Sequence, residues 1–141
     1  IRSHWQNGSM PSIKLDSSLG LHETLTDFSL KLLCHLYKEE TMSFFRLLAY
    51  ESHAFPKLSA SIMDDKVSPS TSQLSQYFVK QVNKNEKDAH NLAIQFLGLL
   101  KEDAFWHVLV GFRNKYTKRE MQKHVETCVT TFIKFISIVD S

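Results

Sequence analysis

Residues 117–139 read TKREMQKHVETCVTTFIKFISIV, and this stretch decides the fold. Thr117 with Glu120 three residues later is a capping box: the threonine hydroxyl accepts from the amide of Glu120, and the carboxylate reaches back to the threonine amide. The box predicts a helix that begins at Lys118. Behind it Met121, Val125, Cys128, Phe132, Phe135 and Val139 advance by four and three residues, which lines one face of a 3.6-residue helix. Val129, Ile133 and Ile136 lay a second apolar stripe beside the first. A terminal helix that is apolar over so wide an arc has more to bury than one surface of a small bundle provides.

The same periodicity runs back through the chain. Leu21, Leu25, Phe28, Leu32 and Leu36 predict a helix over about 19–37. Glu39 and Glu40 open a second helix, where the positive end of the macrodipole favours them, and Met42, Phe44, Phe45, Leu47 and Leu48 make its apolar side. Pro56 disfavours helical backbone at Phe55 and suits a first helical position, so that helix is expected to end near Ala54. A short helix over 56–65 should then bury Leu58 and Ile62. Ser70 to Gln73 reads as another capping box, followed by Leu74, Phe78 and Val82. Asp88 is the expected N-cap of a fifth helix that reaches Gly111 and buries Leu92, Phe96, Leu99, Leu100, Trp106 and Val110. With 4 Gly and 3 Pro in 141 residues there are few breakers to interrupt these helices. The expectation is an all-α bundle of about six helices over residues 19–141, preceded at 1–18 by the end of an upstream connecting helix and a loop.

Composition excludes several functions. Seventeen Lys and Arg against fifteen Asp and Glu leave a net charge of +2, and the cations are scattered, so the chain has no dense cationic footprint for nucleic acid. The apolar runs 92–100 and 104–112 are separated by Lys101-Glu102-Asp103, and each falls far short of the roughly 20 residues a membrane span needs. Cys34 and Cys128 lack Cys-x-x-Cys spacing and read as reduced thiols of a cytoplasmic protein, Cys34 as a small buried hydrophobe. The chain opens at Ile1 rather than Met, which reads as a piece of a longer product.

Catalytic motifs are missing. No phosphate-cradling glycine loop, Gly-x-Ser-x-Gly elbow or His-Glu-x-x-His pair occurs, and the adjacent Cys34 and His35 point about 100° apart on a helix, too far for nucleophile and base. Glu86 with His90, Asp103 with His107, and Glu120 with His124 have i, i+4 spacing, but a metal needs a third or fourth ligand. No metal, cofactor or catalytic residue is expected. An enzyme built on Asp103 and His107 with a metal is the weakest rival. His35, Arg46, Gln81, Gln95 and His107 interrupt apolar faces. Each must meet another side chain, the backbone, water or a ligand, so they mark either a pocket or bonds within the bundle.

Phe45-Arg46-Leu47-Leu48-Ala49-Tyr50-Glu51-Ser52-His53-Ala54-Phe55-Pro56-Lys57-Leu58 resembles the Arg-Leu…Glu…Phe-Pro-x-Leu signature of tetracycline-repressor (TetR) family regulators. Gln95 to Lys101 with Phe105-Trp106 resembles that family's penultimate long helix, and His124-Val125 with Phe132 its terminal helix. The resemblance spans about residues 19–138 and implies an effector-binding and dimerisation domain, whose ligand changes the grip of an N-terminal helix-turn-helix head on operator DNA. Nothing before Ile13 could form that head, so operator contact is expected only through a missing one.

Combining the resemblance with the faces above, Phe28, Leu32, Phe45, Leu48, Phe78, Gln95 and Leu99 are the expected contacts of a small hydrophobic or aromatic effector. Arg46 and Glu51 are expected to be structural. Phe105, Trp106, Val110, Val125, Cys128, Val129, Phe132 and Ile136 are the expected homodimer interface, a four-helix arrangement of the last two helices of each chain. Coverage of both stripes within one chain remains open, as does a free-standing helical carrier or interaction module that binds no DNA.

Overall fold

The computed structural model describes residues 13–16, 18–51 and 70–140. These residues form helices and connections only, in the order α1 (Leu21–Leu36), α2 (Glu39–Glu51), α3 (Ser70–Gln81), α4 (Glu86–Lys101), a π-helical turn (Glu102–Trp106), α5 (His107–Leu109) and α6 (Lys118–Asp140). The expected all-α class holds. The expected short helix over 56–65, the Phe-Pro part of the signature and residues 1–12 lie outside the described residues.

Where helices start and stop follows from local chemistry. At the head of α6 the Glu120 amide donates to Thr117 Oγ1 at 3.1 Å, and the Thr117 amide donates to Glu120 Oε1 at 2.9 Å, the reciprocal bonds that the sequence predicts. Helix α4 corrects its expectation. Asn85, in extended backbone, is the N-cap, and its side chain accepts from the Asp88 amide at 2.8 Å. Asp88 therefore sits in the first turn rather than before it, held by the Asn85 side-chain amide at 3.1 Å. Asn83 leaves α3 with φ +56°, a left-handed conformation that Asn tolerates better than most side chains. Gly111 does the same after α5 with φ +81°.

Continuous α-helix from 88 to 111 was the expectation, and the π turn breaks it. The His107 amide reaches back five residues to the Glu102 carbonyl, whereas the Glu102 amide still makes the ordinary four-residue step to Gly98. One residue more than an α-turn is thereby accommodated.

Helices α3 and α4 form an antiparallel hairpin across the short connection 82–85, and α6 packs against both α4 and α1. Phe132 of α6 sits between Phe78 of α3 (5.5 Å between ring centroids) and Phe96 of α4 (4.9 Å). On the other side, Phe45 of α2 meets Phe105 (5.3 Å) and Trp106 (6.2 Å) of the π turn edge-on. Buried residues of every helix join in one apolar core. His22 Nε2, 3.2 Å from the Glu126 carboxylate, and Cys34 Sγ, 3.9 Å from Met121 Sδ, mark the opposed chain directions of α1 and α6. Cys34 itself is exposed, which corrects its reading as a buried hydrophobe. Its position on α1 is the outer edge of the contact with α6.

Candidate functional site

The inward faces of α1, α2 and α3 carry five of the residues expected to contact an effector. Phe28 and Leu32 of α1, Phe45 of α2 and Phe78 of α3 are all buried in the common core, and Leu48 packs against it half-buried. Gln95 and Leu99 stand apart from these five, on the exposed side of α4. The physical reason is the phase of that helix. Leu92, Phe96 and Leu100 take the core, and the row Asp88, Leu92, Gln95 and Leu99 borders the groove against α6.

That groove, about 240 Å³, is lined by Lys84, Asp88, Asn91, Leu92, Gln95, Phe135 and Ile136. Leu99 continues it one turn on, and the Cys128 thiol of α6 donates to the Leu99 carbonyl at 3.4 Å. Burial pushes this thiol up to about 11. Leu99 and Phe135 keep 44% and 43% of their surface exposed, so an apolar strip runs along the outside of α4 and α6.

The residues expected at a dimer interface divide in two. Phe105, Val125, Val129 and Phe132 are at most 1% exposed inside the single chain, and Cys128 and Ile136 are nearly as buried. Trp106 and Val110 are exposed. The 4-3 spacing in α6 identified its most apolar face, and the chain uses most of that face for its own core.

Polar groups gather around the π turn. Asp103 accepts from the Tyr116 hydroxyl at 2.6 Å, from His107 Nδ1 at 2.7 Å and from an Arg113 guanidinium nitrogen. Those three bonds, Tyr116 first, hold its carboxyl well below the usual carboxylate range. The same contact and, before it, burial push the Tyr116 hydroxyl above its ordinary value. The Arg113 guanidinium lies 4.1 Å from the centre of the Tyr116 ring. Tyr37 at the end of α1 donates to the Ala104 carbonyl at 2.6 Å and accepts from the Tyr116 amide at 3.1 Å. His124 of α6 donates from Nε2 to the Leu100 carbonyl at 2.9 Å. Arg46 of α2 donates to the Leu109 carbonyl at 3.1 Å, closing the end of α5 and tying α2 to it. The π turn and the helical segments on either side of it are thus held from α1, α2, α6 and the loop before α6.

Of the three acid–histidine pairs, Asp103 and His107 meet. Glu120 is committed to its capping box and His124 turns to the backbone. Glu86 and His90 both line a polar groove of about 450 Å³ between α3 and α4. Among the described residues no three His, Cys, Asp or Glu side chains are placed to share an ion. None of the described helices is long and apolar enough to cross a membrane. Of the residues that interrupt apolar faces, His35 alone is buried. Sequence reasoning missed Tyr37, Arg113 and Tyr116, because their roles depend on loop placement rather than helical spacing.

Comparison with known proteins adds a family. No curated protein and no solved structure matches the chain. The family model for the C-terminal domain of AefR-like transcriptional repressors, part of the TetR family, matches residues 23–135, which run from α1 into α6 and take in both the apolar faces and the π turn. The chain belongs to this family of repressor C-terminal domains.

Proposed function

We propose that this domain binds a small apolar or aromatic effector, pairs with a second copy of itself, and so sets how strongly the parent repressor holds its operator in the cytoplasm. The family match over residues 23–135 carries the reading. Operator contact is the task of the helix-turn-helix head of such repressors. A ligand that binds one arrangement of the bundle better than another shifts the population toward it, and with it the DNA-competent fraction.

Phe28, Leu32, Phe45, Leu48 and Phe78 are the proposed effector contacts. Gln95 and Leu99, assigned to the effector on sequence grounds, fit the dimer better because they face outward beside Phe135. A second copy laid along α4 and α6 covers Leu99 and Phe135, with Cys128 and Ile136 at its edge, and Trp106 and Val110 extend the surface. Phe105, Val125, Val129 and Phe132 support it from beneath. Phe45 supplies the link between the two sites, since its ring touches Phe105 and Trp106 of the turn that ends α4.

The test overfills the effector site. Phe45→Trp and Leu48→Trp should each weaken binding of the neutral fluorophore N-phenyl-1-naphthylamine at least tenfold, while sedimentation still reports dimers. Undiminished binding in both variants would remove these residues from the site.

A further inference from the structure

Histidine 35 is 8% exposed, and neither of its ring nitrogens meets a hydrogen-bond partner. Such a group destabilises a fold, and an apolar side chain at the same place would not. Among the described residues the other buried side-chain polar atom without a partner is Ser29 Oγ, on the same helix. By contrast, the buried Thr24 hydroxyl of the same helix donates to the Asp16 carbonyl at 2.9 Å. Both partnerless residues lie on α1.

Position narrows the meaning. His35 lies seven residues after Phe28 and three after Leu32, so the three share one face of α1. That is the face proposed to line the effector site. Burial disfavours the charged imidazole, Lys38 adds to this, and Glu40 opposes it, with a net shift below the ordinary value. A neutral imidazole presents one N–H donor and one bare acceptor nitrogen. A neutral hydroxyl can pair with either one, donating to the bare nitrogen or accepting from the N–H, whereas a carboxylate can only accept and brings a charge into a buried site.

We propose that His35 is the polar contact of the effector site, and that the effector is a largely apolar molecule bearing a neutral hydroxyl. This rests on the effector-binding reading and adds to it a chemical class of ligand. A partnerless histidine is then a stability cost retained for recognition, as expected where a local rule is broken at a functional site.

Displacement of N-phenyl-1-naphthylamine from the chain by naphthalene, 2-naphthol and 2-naphthoate tests it. The wild-type chain should bind 2-naphthol at least tenfold more tightly than either of the others. His35→Phe should bind 2-naphthol and naphthalene equally, and should melt at a higher temperature than wild type without ligand. His35→Gln, which keeps a donor and an acceptor, should restore part of the preference. Equal binding of the three compounds by wild type, a preference for 2-naphthoate, a preference surviving in His35→Phe, or a lowered melting temperature in that variant would each overturn the assignment. Failure of the fluorophore itself to bind would instead bring down the effector reading, and this inference with it.

Discussion

Asp103 shows how much one carboxylate can organise. Tyr116, His107 and Arg113 all donate to it, from the α5 turn, the following loop and the approach to α6. Its ordinary pKa is near 3.8 and these bonds lower it in the folded chain. A carboxylate with a depressed folded pKa adds stability that is complete above the unfolded value and lost as pH falls below it. Asp103→Asn should therefore cost about 1–2 kcal/mol at neutral pH, the charged bonds being discounted for solvent at a side chain that is 43% exposed. The gap from wild type should stay constant down to about pH 5 and narrow below about pH 4 in urea titrations. A gap that persists unchanged at pH 2–3 would contradict this account. The Asp103–His107 pair was legible from its spacing. Arg113 and Tyr116 were not, because no periodicity links a loop residue to the helix that it returns to. Glu120 was legible twice over, as a cap and as a partner of His124, and the backbone amide won.

At the scale of elements, the helices that the sequence located best are those whose ends carry side-chain caps. Thr117 and Glu120 set the start of α6 to the residue. Asn85 displaced Asp88 because both residues cap well and three-residue spacing lets them act together, Asn outside and Asp within. The π turn was invisible, since one extra residue leaves the apolar pattern on both sides intact and changes only their phase. What holds it is visible in the structure. The Tyr37 hydroxyl bonds the Ala104 carbonyl and the Tyr116 amide at once, so Tyr37→Phe leaves two backbone groups without that partner at a half-buried site. A loss of about 1–3 kcal/mol is expected in equilibrium denaturation, with helix content retained. A loss of only a few tenths would mean that water replaces the hydroxyl without penalty.

For the molecule as a whole, the sequence conveyed the class and the surplus of apolar surface, while the division of that surface between core and outside needed the fold. Val125 and Phe132 belong to the first apolar stripe of α6 and Val129 to the second, and the chain buries all three itself. Leu99 is expected on sequence grounds against a ligand and Phe135 on the regular apolar stripe of α6, and both remain exposed. A charge at such a strip should disrupt self-association without disturbing the fold. Phe135→Lys is expected to sediment as a monomer at concentrations where the proposed wild-type dimer forms, with an unchanged circular dichroism spectrum. Dimers that persist in Phe135→Lys and in Leu99→Lys would place the contact elsewhere, with Val110 and Phe112 the next exposed apolar pair.

The wide turn at 102–106 also has a genetic reading. Its extra residue is one codon, and loss of that codon would let the His107 amide meet the Glu102 carbonyl in an ordinary four-residue step, with the helix on either side keeping its direction. The bonds gathered on the turn itself, at Asp103 and Ala104, are the ones that would change. A related gene shorter by a single codon here would encode the same outward helix faces without the polar cluster that this turn gathers.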